Sequence, residues 1–195
     1  MEDSYRKQKF THLFKILDFD HDGLLQEVDF LNLGENIAIF RCLEPPSDVE
    51  ELITRRGREF WQNLKAYTNK QPMTRCNLEN WLKYLDELTR VDAPSEFHQQ
   101  AKSAVDDIFF IYDKNHDNYI SKQEYLCLFV SLRVEIKQAD DCFRQLDLNG
   151  DQRLSREEMF LAIMQFFLSE NKEEPGNLLF GNPDYYQFAT RRNIF

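Results

Sequence analysis

The twelve residues DFDHDGLLQEVD at positions 18–29 place the strongest constraint on what this chain can fold into. Asp18, Asp20, Asp22 and Asp29 lie there with Glu27 beside them. Carboxylates gathered within ~4–6 Å raise one another's pKa and oppose folding unless something positive joins them. The same spacing returns twice, as DKNHDNYISKQE at 113–124 and DLNGDQRLSREE at 147–158. Each stretch opens on Asp (Asp18, Asp113, Asp147) and has Asp or Asn at the third position (Asp20, Asn115, Asn149). Each has Asp at the fifth (Asp22, Asp117, Asp151), an apolar residue at the eighth (Leu25, Ile120, Leu154) and a carboxylate at the twelfth (Asp29, Glu124, Glu158).

The flanks are helical in period. Phe10, Leu13, Phe14 and Leu17 predict an amphipathic helix before the first stretch, and Phe30, Leu31, Leu33, Ile37 and Phe40 predict one after it. The prolines of EPPS end that helix, since proline cannot continue a helix interior. Ser47 or Asp48 then caps a third helix through Leu52, Phe60 and Leu64, and Thr74 or Asn77 starts a fourth with Trp81 and Leu85. VDAPSE at 91–96 reads as a linker with Ser95 as an N-cap. The second half repeats the layout around its two acidic stretches. The expected fold is all-α, about eight helices with helix–loop–helix as the repeated unit and strand only inside the loops.

The spacing matches the needs of a hard divalent cation. Ca²⁺ takes six to eight oxygens at ~2.3–2.6 Å, and a tight loop can bring side chains 1, 3 and 5 to one centre. The backbone carbonyl of the seventh residue (Leu24, Tyr119, Arg153) adds an oxygen, and the ninth (Gln26, Ser121, Ser155) contributes directly or through water. The twelfth carboxylate closes the shell from the exiting helix. These are EF-hand loops in pattern, and three in register make a solvated acidic turn a poor explanation. The formal net charge of -10 also suits cations, and it opposes nucleic acid or an anionic membrane surface as partner.

The loops differ. Only the first has glycine at the sixth position, Gly23, where positive φ is needed; Asn118 tolerates that region and Gln152 does so at a cost of about 1 kcal/mol. The 147–158 site is therefore expected to be the weaker of the second pair. Asp29 has less reach than Glu, which suits six-coordinate Mg²⁺ and predicts a Ca²⁺/Mg²⁺ site at 18–29. The first hand needs a partner, expected around TNKQPMTRCNLE at 68–79. In that register Thr68, Lys70 and Pro72 take the first three ligand positions, which reads as a degenerate hand; an alternative register puts Met73 eighth.

Four hands with an inactive second one, together with the tail EEPGNLLFGNP at 173–183, resemble the invertebrate sarcoplasmic calcium-binding proteins, with calexcitin as a relative. The resemblance implies a compact globule with two hand pairs face to face, at 1–92 and 93–170, and a tail at 171–195. It also implies a high-affinity cytoplasmic Ca²⁺ buffer, partly occupied by Mg²⁺. Only four methionines and a core rich in Phe favour such a buffer over a sensor that opens on a target protein. A luciferin-type ligand carrier, with Trp61 and Trp81 lining an apolar space, is the third reading. No nucleophile–base arrangement supports an enzyme. Cys42, Cys76, Cys127 and Cys142 read as reduced core thiols in a cytosolic monomer, without signal peptide or transmembrane segment.

Overall fold

A computed structural model of the chain describes residues 4–43, 47–68, 75–90 and 94–185. Helix α1 (Tyr5–Leu17) starts where the Ser4 hydroxyl accepts the Lys7 amide, and it stops where the first acidic stretch begins. After the two-residue strand β1 (Leu24–Leu25) comes α2 (Glu27–Phe40). The longest helix, α3 (Asp48–Thr68), is capped by Ser47, whose Oγ accepts the Glu50 amide. Strand β2 (Cys76–Asn77) leads into α4 (Leu78–Leu88), with Asn77 as its N-cap. Ser95, expected as an N-cap, instead lies inside α5, which begins one residue earlier at Pro94, so the linker is shorter than 91–96; residues 44–46 of the breaker EPPS lie outside the described residues.

The second half contains α5 (Pro94–Tyr112), β3 (Ile120–Ser121), α6 (Lys122–Ser131), α7 (Ala139–Leu146), β4 (Arg153–Leu154) and α8 (Arg156–Leu168). Single 3-10 turns at Ile136–Gln138 and Pro175–Leu178 complete it. Among the described residues the strands pair as β1 with β2 and β3 with β4, both antiparallel. Four helix–loop–helix units, tied loop to loop in two pairs, are the architecture expected from the repeat.

The two pairs share one core. Phe10, Trp81 and Leu85 belong to the same buried cluster as Tyr125, Phe129 and Phe166. Helix α1 lies between the halves: its Phe10 carbonyl accepts the Trp81 indole N–H at 2.9 Å on one side. On the other, the fully buried Lys9 Nζ donates to the carbonyls of Gln165 and Ser169 and to Asn177 Oδ1. The ammonium thus sits among acceptor groups at the C-terminal end of α8, where a positive charge is favoured. Arg56 on α3 bonds Ser103 and Asp107 on α5, a second tie between halves.

The tail segment packs on this body as far as it is described. Asn177 and Leu179 are buried, and the Tyr125 hydroxyl donates to the Leu179 carbonyl at 3.1 Å. A His12 ring nitrogen bonds the Phe180 carbonyl at 2.8 Å; burial lowers the pKa of that imidazole. Residues 186–195 lie outside the described residues. The cysteines are free, but not all are core thiols: Cys42 is exposed and Cys127 half-buried. Burial pushes the Cys76 and Cys142 thiols up to about 12.

Candidate metal centres

The three acidic stretches adopt one backbone pattern. The amide of the sixth residue donates to the first Asp: Gly23 to Asp18 at 3.0 Å, Asn118 to Asp113 at 2.9 Å and Gln152 to Asp147 at 2.9 Å. The fifth amide donates to the third side chain, from Asp22 to Asp20, Asp117 to Asn115 and Asp151 to Asn149. The seventh amide donates to the fifth Asp, from Leu24, Tyr119 and Arg153. This folds side chains 1, 3 and 5 inward over a ring of N–H donors.

The twelfth carboxylate is held the same way in all three loops. Its oxygens accept the second and ninth amides: Phe19 and Gln26 for Asp29, Lys114 and Ser121 for Glu124, Leu148 and Ser155 for Glu158. Ser121 and Ser155 return the bond as N-caps of α6 and α8, a capping box that ties the ninth position to the twelfth. Gln26 plays that part at α2, and its side-chain amide also donates to Asp22. Asp29 is fully buried; burial raises its pKa, against the backbone amides of Gln26, Phe19 and Asp20 that lower it.

A cation fits this arrangement. Asp18, Asp20 and Asp22 each offer a carboxylate oxygen within 4.8 Å of one another. Asp18 Oδ1 is buried with no hydrogen-bond partner. An unpaired buried carboxylate oxygen costs several kcal/mol, and a metal ion is one of the few groups that removes the cost. Asp113 holds the equivalent buried position in the third hand.

The ladders set the register of the second hand. In the second half, eighth positions face each other, Ile120 against Leu154. In the first half Leu25 faces Cys76. The eighth residue of the second loop is therefore Cys76, neither Arg75 nor Met73, and the loop runs over 69–80 rather than 68–79. The expected register was one residue early because no ligand marks the positions. Counted back from Cys76, ligand positions one, three and five fall on Asn69, Gln71 and Met73, which lie outside the described residues, and position twelve falls on Asn80. None of these side chains is a carboxylate, so the expectation of a degenerate hand survives the shift, while Lys70 moves off a ligand position.

A second feature escaped the sequence reading. The fourth residue of every acidic loop also has positive φ: His21 at 61°, His116 at 58° and Gly150 at 74°. The sixth has it as expected, with Gly23 at 83°, Asn118 at 62° and Gln152 at 67°. Each loop thus makes two left-handed turns, and the fourth hand has glycine at the first of them. A Gly-then-Gln order in 147–158 and a His-then-Asn order in 113–124 bring the two loops closer than the sixth position alone implies. The signal was present in Gly150 but had no counterpart in the other loops.

Comparison with known proteins agrees. A family model described as an EF-hand domain pair matches residues 102–165, which hold both loops of the second half. Calerythrin from Saccharopolyspora erythraea is 25% identical over 150 residues, 76% of this chain and 84% of the relative. Calaxin from Xenopus laevis is 39% identical over 75 residues, 36% of this chain and 35% of that protein, so the chain spans about a third of its length. The solved structure of the coelenterazine-binding protein from Renilla muelleri, in its Ca-loaded apo form, superposes with a TM-score of 0.71 at 19% identity. That likeness covers 91% of this chain and 95% of the other, and at such identity it shows the fold alone. With an EF-hand domain pair matched in the second half, calerythrin as a homologue over most of the chain and the EF-hand fold in both halves, the chain is similar to calcium-binding EF-hand proteins.

Proposed function

We propose that the chain is a high-affinity Ca²⁺/Mg²⁺ buffer of the cytoplasm, a monomer that takes three ions. The observation that carries this reading is the shared cradle: three loops with one hydrogen-bond pattern and one set of inward carboxylates. Asp18, Asp20, Asp22, the Leu24 carbonyl, Gln26 and Asp29 would hold the first ion. Asp113, Asn115, Asp117, the Tyr119 carbonyl, Ser121 and Glu124 would hold the second; Asp147, Asn149, Asp151, the Arg153 carbonyl, Ser155 and Glu158 the third. The ion would supply the positive charge that these carboxylates lack, without chemistry on any substrate. Mg²⁺ competes at the first site, where the short Asp29 closes the loop. Residues 1–92 and 93–170 would form the two hand pairs, with the described tail at 171–185 fastened to them through Asn177 and Leu179.

Buffer rather than sensor is supported by how the apolar helix faces are used. They meet in one core across both halves, and Lys9, Arg56 and Tyr125 bond across the joins. A sensor must peel such faces apart, at about 1.5–3 kcal/mol for each large apolar side chain brought to water. The sensor alternative has one observation in its favour: Ile39 and Phe40 stand 72% and 49% exposed at the end of α2, where a target could dock. The carrier reading has less support. Trp81 is in ring contact with Phe14, Phe60 and Tyr84, so protein fills the space that a carried ring would take.

The test is a Ca²⁺ titration in a background of Mg²⁺, with calorimetry counting the ions and a hydrophobic dye reporting surface. Three ions bound with flat dye fluorescence is the expected result, with Mg²⁺ weakening only the first site. A large fluorescence rise moves the protein to the sensor class. Fewer than three ions, or no Mg²⁺ competition, removes the corresponding part of the reading.

A further inference from the structure

We propose that Arg133, which lies in the connection between the third and fourth hands, is a positioning residue for the first cation site. The assignment rests on the reading of 18–29 as a cation loop. Arg133 follows the end of α6, where its amide donates to the Val130 carbonyl. Its guanidinium reaches across to the other hand pair. Nη1 donates to the Phe19 carbonyl at 2.9 Å, and the group lies 3.4 Å from the centroid of the Phe19 ring. Phe19 is the second residue of the first loop and is 6% exposed.

Phe19 is also the residue whose amide holds the closing carboxylate, donating to Asp29 Oδ1 at 3.0 Å. Arg133 therefore grips both the ring and the carbonyl of the residue that aims Asp29. A second bond fixes the same neighbourhood: Asn36, on the helix that carries Asp29, donates from Nδ2 to the Ser131 carbonyl at 2.7 Å. The first loop has its own partner hand through the β1–β2 ladder, yet the side chain that holds the carbonyl and ring of its second residue comes from the opposite pair. Its third-hand counterpart, Lys114, also donates its amide to the twelfth carboxylate. No guanidinium is seen on Lys114 among the described contacts.

The geometry makes the first site's affinity depend on the α6–α7 connection. Losing the clamp frees the Phe19 peptide, and ordering it again then opposes ion binding. A planar guanidinium that stacks and donates at once is not reproduced by an ammonium. A purely electrostatic role predicts the opposite sign, because a cation near four aspartates competes with the ion and its removal tightens the site.

Amide NMR during Ca²⁺ titration reads each loop separately through Gly23, Asn118 and Gln152, the donors to Asp18, Asp113 and Asp147. The variants are Arg133→Ala, Arg133→Gln and Arg133→Lys. Arg133 is exposed, so none should unfold the protein, and all share the backbone cost of its φ of 55°, which cancels between them. The expected result for Arg133→Ala is a Gly23 midpoint raised about three- to tenfold, with Asn118 and Gln152 unmoved. Arg133→Gln and Arg133→Lys, each keeping a donor, recover part of the loss. A tighter Gly23 transition in Arg133→Ala and Arg133→Gln, equal shifts at all three amides, or no shift at any of them overturns the assignment. A native protein in which Gly23 never responds to Ca²⁺ overturns the three-site reading itself, and this assignment with it.

Discussion

Two residues per loop decide how readily each acidic stretch takes its shape. Left-handed backbone costs an ordinary residue roughly 1–2 kcal/mol, little for Gly and less for Asn or His than for most. Apart from their immediate chain neighbours, no residue comes within 4 Å of where a Cβ would stand on Gly23 or Gly150, so the backbone cost is what separates them from other residues. We therefore expect Gln152→Gly to tighten the 147–158 site up to about fivefold, and Gly150→Ala to weaken it by a similar factor. Competition with a chromophoric chelator measures both. Equal affinities for Gly150→Ala and the native protein would show that the fourth position contributes nothing. The ligand-type residues were readable from spacing alone, because a cation demands oxygen donors at fixed intervals. The fourth-position turn was not, because His21 and His116 look like ordinary polar loop residues until their backbone angles are known.

At the scale of elements, the exiting helix of the first hand and the entering helix of the second approach as closely as one glycine allows. Gly57 on α3 faces Phe30 on α2, and a Cβ there would stand 2.6 Å from the Phe30 Cβ. The two helices must part, or Phe30 must leave its contact with Phe60 at 5.2 Å between ring centroids. Gly57→Ala should gain helix propensity in α3 but lose more to overpacking, a net loss of about 1–2 kcal/mol. Thermal unfolding at saturating Ca²⁺ should show a midpoint lower by several degrees, roughly 2–4 °C per kcal/mol for a chain of this size. An unchanged or raised midpoint would mean that α2 and α3 can repack at no cost. The helices themselves were legible: apolar period, Ser47 and Asn77 as caps, and the breaks between them all point to the observed elements. The second loop's register was not, since its identity resides in pairing. Leu25 opposite Cys76 is a statement about two segments far apart in sequence, and no local pattern around TNKQPMTRCNLE contains it.

At the scale of the whole molecule, the halves are joined by groups that no repeat announces. Lys9 reads in the sequence as one more charge on an amphipathic helix, yet it is fully buried and bonded to Gln165, Ser169 and Asn177. Burial brings its pKa down from 10.5 to about 8, with Glu170 opposing the shift. In the unfolded chain the amine keeps its proton to the ordinary value. Between about pH 8 and pH 10.5 the unfolded state thus binds more protons than the folded one, and this group makes stability rise with pH across that window. Below it the full cost of burying the ammonium is present. The rise is at most about 3 kcal/mol, and smaller to the extent that a neutral amine bonds its three acceptors less strongly. Lys9→Met removes the titration while leaving Asn177 Oδ1 without its donor, so it should destabilise the protein by about 1–3 kcal/mol at neutral pH. Urea unfolding of both proteins across the window, at saturating Ca²⁺, isolates the effect, because every other titrating group is common to the two and cancels in the difference. The native curve should climb relative to the Lys9→Met curve as pH passes from 8 to 10.5. Parallel curves would mean that the three acceptors hold the proton on Lys9 as firmly as water does, and that the tie between α1 and the end of α8 is made without a desolvation penalty.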